Sequence, residues 1–251
     1  YIVRTPNNFT TTPQVFTATF NGTPNNGIIN TPISRSTYDG ANYTGPTTTP
    51  VTKDDDNWNL VGNPYPSAIN AIDFLTLNTN IAGFIKIWTH GTLPNSSFPT
   101  AFYQNYSYNY TLSDYITYNS TGSSSGPGVF GGNIAAGQGF FVLMNHTTSA
   151  TTENLVFNNS MRSHTYDNSQ FFKSDNSNNS SNDYEKNRIW LDLIDQNNNS
   201  TRTLVGYVSK ATNDIDRLFD ATTHDKNIFD IYSINSNSKL NIQGRKLPFD
   251  E

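Results

Sequence analysis

Cysteine is absent from all 251 residues, which excludes disulfides, thiolate zinc ligation and thiol catalysis together. Charge is also scarce. Asp, Glu, Lys and Arg make up 14% of the chain, against about 25% in ordinary domains. A net charge of −5 leaves no basic footprint for nucleic acid or for an anionic membrane surface. No apolar run approaches the ~18 residues that a membrane-crossing helix needs, so neither nucleic acid nor membrane insertion is expected. Asn, Thr and Ser stand where charge is missing, with 14 Tyr and 16 Phe. Many aromatics and β-branched threonines at low charge favour sheet and argue against disorder.

The most structured stretch is residues 57–69. Trp58, Leu60 and Val61 read as a buried strand, and Gly62-Asn63-Pro64-Tyr65-Pro66 stops it. Two prolines two apart fix φ, remove two backbone donors and hold their preceding residues extended. Ser67 is placed to cap a short helix through Ala68, Ile69, Ile72 and Leu75. Further strands are expected at 14–20, 84–89, 102–110, 115–118, 138–144 and 154–157. Residues 21–50 and 120–132 read as turn-rich loops.

The stretch 173–187 is polar, of low complexity and nearly free of apolar side chains, and reads as a linker. Beyond it, 188–194 alternates, with Ile189, Leu191 and Leu193 assigned inward and Arg188 and Asp192 outward. A hairpin to 204–208 and strands at 229–234 and 240–242 follow. The expected fold is all-β, with two β-sandwich (jelly-roll or Ig-like) domains. The first covers 1–172 and lacks upstream strands; the second covers 188–251 and is incomplete at its C-terminus. Strands missing from its sheet would lie beyond Glu251 or come from another chain.

Residues 59–69, Asn-Leu-Val-Gly-Asn-Pro-Tyr-Pro-Ser-Ala-Ile, resemble a recurrent segment of large secreted surface proteins of Bacteroidetes, flavobacteria in particular. Ile87-Trp88-Thr89-His90, Ala136-Gly137-Gln138-Gly139-Phe140-Phe141-Val142 and Leu240-Asn241-Ile242-Gln243-Gly244-Arg245 continue the likeness in order. The resemblance implies export through the type IX secretion system and an extracellular or cell-surface location. It also implies a region upstream of a C-terminal sorting domain, so the chain is expected to be a fragment. No catalytic residues come with it.

Chemistry-bearing spellings are few. Gly122-Ser123-Ser124-Ser125-Gly126 spells a nucleophile elbow, but Pro127-Gly128 follows where a helix is required, so it reads as a loop. His90, His146, His164 and His224 have no ligand spacing. Asp214, Asp216, Asp220 and Asp225 are candidate calcium ligands on a turn-rich loop, without the Gly and bidentate Glu of an EF-hand. No other cofactor is expected. Tyr106, Tyr108 and Tyr110 share one strand face and, with Trp88 and Tyr115, form a candidate aromatic surface for glycans.

The expectation is therefore a non-catalytic structural or adhesive module of a surface protein. Its partners would be other copies of itself or neighbouring surface proteins, joined by strand complementation. A carbohydrate-binding module is the alternative.

Overall fold

The computed structural model describes residues 19, 21–45, 50–88, 115–125, 130–169, 187–196, 200–223 and 230–249. In chain order the first strands are β1 (Ile29–Ser34), β2 (Tyr43–Thr44), β3 (Pro50–Val51), β4 (Trp58–Gly62) and β5 (Ile69–Asn70). Helix α1 (Ala71–Leu77) follows, then β6 (Ile85–Trp88), β7 (Tyr115–Asn119), β8 (Gly122–Ser123), β9 (Asn133–Ile134), β10 (Gly139–Leu143) and β11 (Thr152–Phe157). The last group is β12 (Arg188–Ile194), β13 (Ser200–Val208), β14 (Ala221–Thr222), β15 (Ser233–Asn235) and β16 (Ser238–Lys246). The chain is all-β and sandwich-type, as its composition predicts. The strands expected at 14–20, save Thr19, and at 102–110 lie outside the described residues, as does the 173–187 linker save Asn187.

The central layer is a five-stranded sheet in the order β4-β10-β6-β7-β8, antiparallel throughout. Strand alternation divides its side chains between two faces. Val61, Ile85, Ile87, Ile116, Phe140 and Val142 enter one core with Phe74 of α1 and Leu155 and Phe157 of β11. The Phe74 ring lies edge-on to Phe140 at 5.3 Å and 5.0 Å from Phe157. Burial of each such ring contributes about 1.5–3 kcal/mol. The β1–β11 ribbon covers this side. β1 falls in the expected loop region because Pro32 conceals it; Pro is tolerated on the edge of a two-stranded ribbon.

On the opposite face Phe84 and Leu143, with Trp58 alongside, meet Leu204, Ala221 and Ile242 of a second sheet. That sheet runs β12-β13-β16-β14, with β15 also on β16. β13 and β16 pair in parallel, and a two-residue turn at Ser236-Asn237 links β15 to β16. Both turn residues have positive φ, 48° and 68°, the geometry that matches strand twist in a tight hairpin. Three layers result: ribbon and helix, central sheet, second sheet.

Two local expectations are corrected. Asn70, not Ser67, caps α1, its Oδ1 accepting from the N–H of Ile72 at 2.8 Å and of Asp73 at 3.0 Å. Ile69 and Asn70 pair first with β9, so the helix starts later, and the Ser67 hydroxyl instead accepts from Arg162 Nε at 2.8 Å. The faces of β12 are also reversed. Trp190 packs toward the second core and donates Nε1–H to the Ser123 carbonyl at 3.0 Å, leaving Ile189, Leu191 and Leu193 on the exposed side.

The corner after β4 is held by Asn63. Its buried amide donates to the carbonyls of Ser67, Ile134 and Ala135 at 2.9, 2.9 and 3.0 Å, while Oδ1 accepts from the Tyr65 N–H at 3.0 Å. Tyr65 is buried beneath Arg162, whose guanidinium carbon stands 4.7 Å from the ring centre, and its hydroxyl donates to Gly27 O. The Pro-Tyr-Pro turn is therefore a packing joint.

Candidate functional site

Of the candidate aromatics, the fold brings Trp88 and Tyr115 together. They are direct partners across β6 and β7, and Phe141 of β10 lies edge-on to Tyr115 at 5.8 Å. Leu60 pairs with Phe141 and extends the row to β4. All are on the side of the central sheet away from the first core; Trp88 is 37% exposed and Leu60 45%. Flat amphipathic rings on a rigid sheet suit stacking against a sugar face. Tyr106, Tyr108 and Tyr110 lie outside the described residues.

Lys86 shares this face, opposite Phe141 and Thr117. Its ammonium stands 5.0 Å from the Trp58 ring centre. Desolvation by the covering second sheet lowers its pKa to about 8, opposed by the charge of Asp230. The position is legible as the one charged residue alternating with Ile85 and Ile87. Its burial is not, because that depends on which layer lies above it.

The aspartate series serves the backbone. Asp220 accepts from the N–H of Asp216 at 2.6 Å and of Gly244 at 2.9 Å, and Asp216 accepts from Thr212 N–H. Burial raises the Asp220 pKa, the two backbone bonds opposing it. Asp214 stays exposed, with its N–H donated to the Thr212 hydroxyl, and Asp225 lies outside the described residues. Among the described residues no group of three or more His, Asp or Glu side chains is arranged to hold a metal.

A shallow polar cleft of about 290 Å³ opens between the 40–54 loop and the second sheet, lined by Asn42, Lys53, Asp54, Thr222, Ser238 and Lys239 among others. Beside it His146 is held between the two halves of an ionic cluster. Nδ1 faces Arg35 at 3.1 Å and Asp39 at 3.5 Å; Nε2 faces Asn57 at 2.6 Å and Asp54 at 3.7 Å. The hydrogen bond from Lys53 holds the Asp39 carboxyl below its usual pKa. Of the nearby hydroxyls, Thr52 is engaged with Asp55 at 2.9 Å and Thr223 with Asp230 at 3.5 Å. Likewise Ser124, centre of the elbow spelling, is buried and accepts from Thr117 N–H at 3.0 Å.

The best-made polar site is the junction of the layers. Arg217 donates to the carbonyls of Ile81 at 2.9 Å, Leu75 at 2.9 Å and Asn78 at 2.5 Å. Thr121 donates to Phe219 O at 2.6 Å, and Arg202 to Ser125 O at 2.6 Å. The arginine bonds among these are charge-assisted, individually strong and need both partners in place.

Fold and junction together define an all-β protein of stacked, mutually clamped sheets. Over residues 1–251 the chain matches the family described as Domain of unknown function (DUF8693), and it belongs to that family. No curated protein and no solved structure matches it.

Proposed function

We propose that this chain is a non-catalytic structural and adhesive module of an exported bacterial surface protein, acting outside the cell as a spacer or fibre-forming unit. The observation that carries this is the use of its polar side chains. Arg217 and the Trp190 indole bind backbone across the layers, and Asp220 and Asn63 bind backbone within theirs, rather than converging on a reacting group. The in-order resemblance to type IX secretion cargo supports export. Antibody against this chain is expected to label intact cells of the source bacterium. Label that appears only after lysis would overturn the surface reading, and turnover of a glycoside or ester panel would overturn the non-catalytic one.

A second reading, carbohydrate binding, is favoured by the partly exposed Trp88, the cross-strand partner of Tyr115, whose ring is edge-on to Phe141. A glycan array is expected to show hits that Trp88→Ala loses. An array without hits removes this reading and leaves the first intact.

A further inference from the structure

The strand β12 ends the second sheet, with β13 on one side and no neighbour on the other among the described residues. Its backbone polarity follows from one bond. Tyr207 N–H donates to Asn187 O at 2.8 Å, so 187 and 207 form a hydrogen-bonded pair of the antiparallel ladder. Such pairs recur every second residue, so 189, 191 and 193 bond to β13. The N–H and C=O groups of Trp190, Asp192 and Ile194 therefore point away, toward the open edge. Natural edges are commonly blunted by Lys, Pro or a bulge. The sequence Arg-Ile-Trp-Leu-Asp-Leu-Ile has neither residue, and its pairing with β13 is unbroken over all seven positions.

The same strand exposes an apolar stripe. Ile189 is 46% exposed, Leu191 47% and Leu193 37%, all on one face of the strand, with Ile194 at 61% on the other. Two chemistries that attract a strand, backbone groups without a strand partner among the described residues and alternate apolar side chains, thus coincide on one edge.

We propose that this edge is the docking surface for a second copy of the chain, which adds its own β12 antiparallel about a two-fold axis at Trp190. Charge selects the occupant and the register. Arg188, whose Nε–H already donates to Thr121 O, and Asp192 stand equally far on either side of Trp190, so the two-fold axis sets Arg188 of each copy against Asp192 of the other. In that register Ile189 meets Leu191 of the second copy, twice, and the outward backbone groups of 190 and 192 face outward groups. Cross-strand pairs of opposite charge or of apolar side chains each add about 0.2–1 kcal/mol. Asp192 already binds Arg202 through both carboxylate oxygens, so the new contact extends an existing pair. Pairing joins two second sheets into one continuous sheet. It does not depend on surface display: a chain that dimerises in solution leaves its location open, and a displayed chain that stays monomeric sinks only the pairing.

The test is sedimentation equilibrium of the 251-residue chain, compared with Leu191→Lys. The wild type is expected to dimerise, and Leu191→Lys to weaken association at least ~10-fold, about 1.4 kcal/mol. At protein concentrations where both chains are monomeric, the variant's urea midpoint should match the wild-type value, since Leu191 is exposed, and this separates lost pairing from lost fold. The chain has no cysteine, so Ile189→Cys mixed with Leu191→Cys reports the register directly, with a disulfide-linked heterodimer expected on oxidation. A wild type monomeric at its highest soluble concentration, or a dimer untouched by Leu191→Lys, overturns the proposal. Cross-linking of Leu191→Cys to itself in preference to the mixture overturns the register.

Discussion

The carbonyl oxygen of Arg217 lies 1.7 Å from where a β-carbon on Gly83 would stand. No side chain fits there, and the obstructing atoms are backbone, with Arg217 C at 2.4 Å and Leu218 N at 2.9 Å. Glycine at 83 thus lets the 211–220 loop rest directly on the turn before β6. Gly83→Ala is expected to push the second sheet off the first and destabilise the protein by about 1–3 kcal/mol, the usual penalty of overpacking. Gly62→Ala, where the nearest atom is 3.8 Å away, is the control. Urea unfolding of the two variants checks this; equal midpoints would show that the loop yields freely.

Close approach at Gly83 delivers the Arg217 side chain to three carbonyls at the end of α1 and the turn after it. Burial works against the guanidinium, lowering its pKa, but leaves it charged. Arg217→Lys keeps the charge and loses the planar fork, so it should not rescue. Both Arg217→Lys and Arg217→Met are expected to cost at least ~2 kcal/mol, with carbonyls left unbonded. Hydrogen exchange should quicken in α1 and in residues 81–88 more than in β1 and β11. Uniform quickening across all strands would mean that the contact acts only on global stability.

Much of the first core was legible in sequence. Residues 84–89 and 138–144 alternate or run apolar over strand lengths, and both became strands within a residue or two. Turn chemistry at 62–66 also read correctly, since prolines act locally. Three features did not. Pro32 hid β1, because an edge strand obeys different rules from a central one. The faces of β12 were inverted because Ile, Leu and Leu outnumber its other side, yet Trp190 buries more area and carries a donor that finds Ser123 O. The junction itself was illegible, since Arg217, Lys86 and His146 become distinctive only once residues more than fifty positions away pack against them.

Lys86 gives the protein a pH dependence with a definite sign. Its amine titrates near 10.5 when unfolded and about 8 when folded. Between those values the unfolded chain holds a proton that the folded chain has released, so stability rises as pH increases from about 8 toward 10.5. Below about 8 both states are charged and the folded one keeps a poorly solvated ammonium. The gap corresponds to about 3 kcal/mol at ~1.36 kcal/mol per pH unit. Lys86→Met removes the charge while keeping an unbranched stem. It should stabilise the protein at pH 7 by a sizeable part of that figure, and the advantage should shrink steadily toward pH 10. An unfolding free-energy difference between variant and wild type that does not change with pH would refute the buried-ammonium account.

Asn63 offers the sharpest test of the corner after β4, because Asn63→Asp changes one atom and almost no volume. The Tyr65 N–H keeps its acceptor. The two amide protons vanish, and an oxygen comes to face the carbonyls of Ser67, Ile134 and Ala135, each about 3 Å away. Repulsion among acceptors in a buried site, with a charge added, should cost about 3 kcal/mol or more at pH 7. The penalty then depends on pH in a fixed direction. Burial beside three carbonyls raises the new carboxyl's folded pKa above its unfolded one. The folded state therefore binds the proton first as pH falls, regains one donor, and recovers stability relative to wild type. Asn63→Ala loses those bonds and the Tyr65 N–H acceptor as well, without adding a charge, and should show no such recovery. Urea titrations of both variants at pH 7 and pH 5 decide the matter, and parallel behaviour of the two would mean that the corner is held by its prolines and Tyr65 alone.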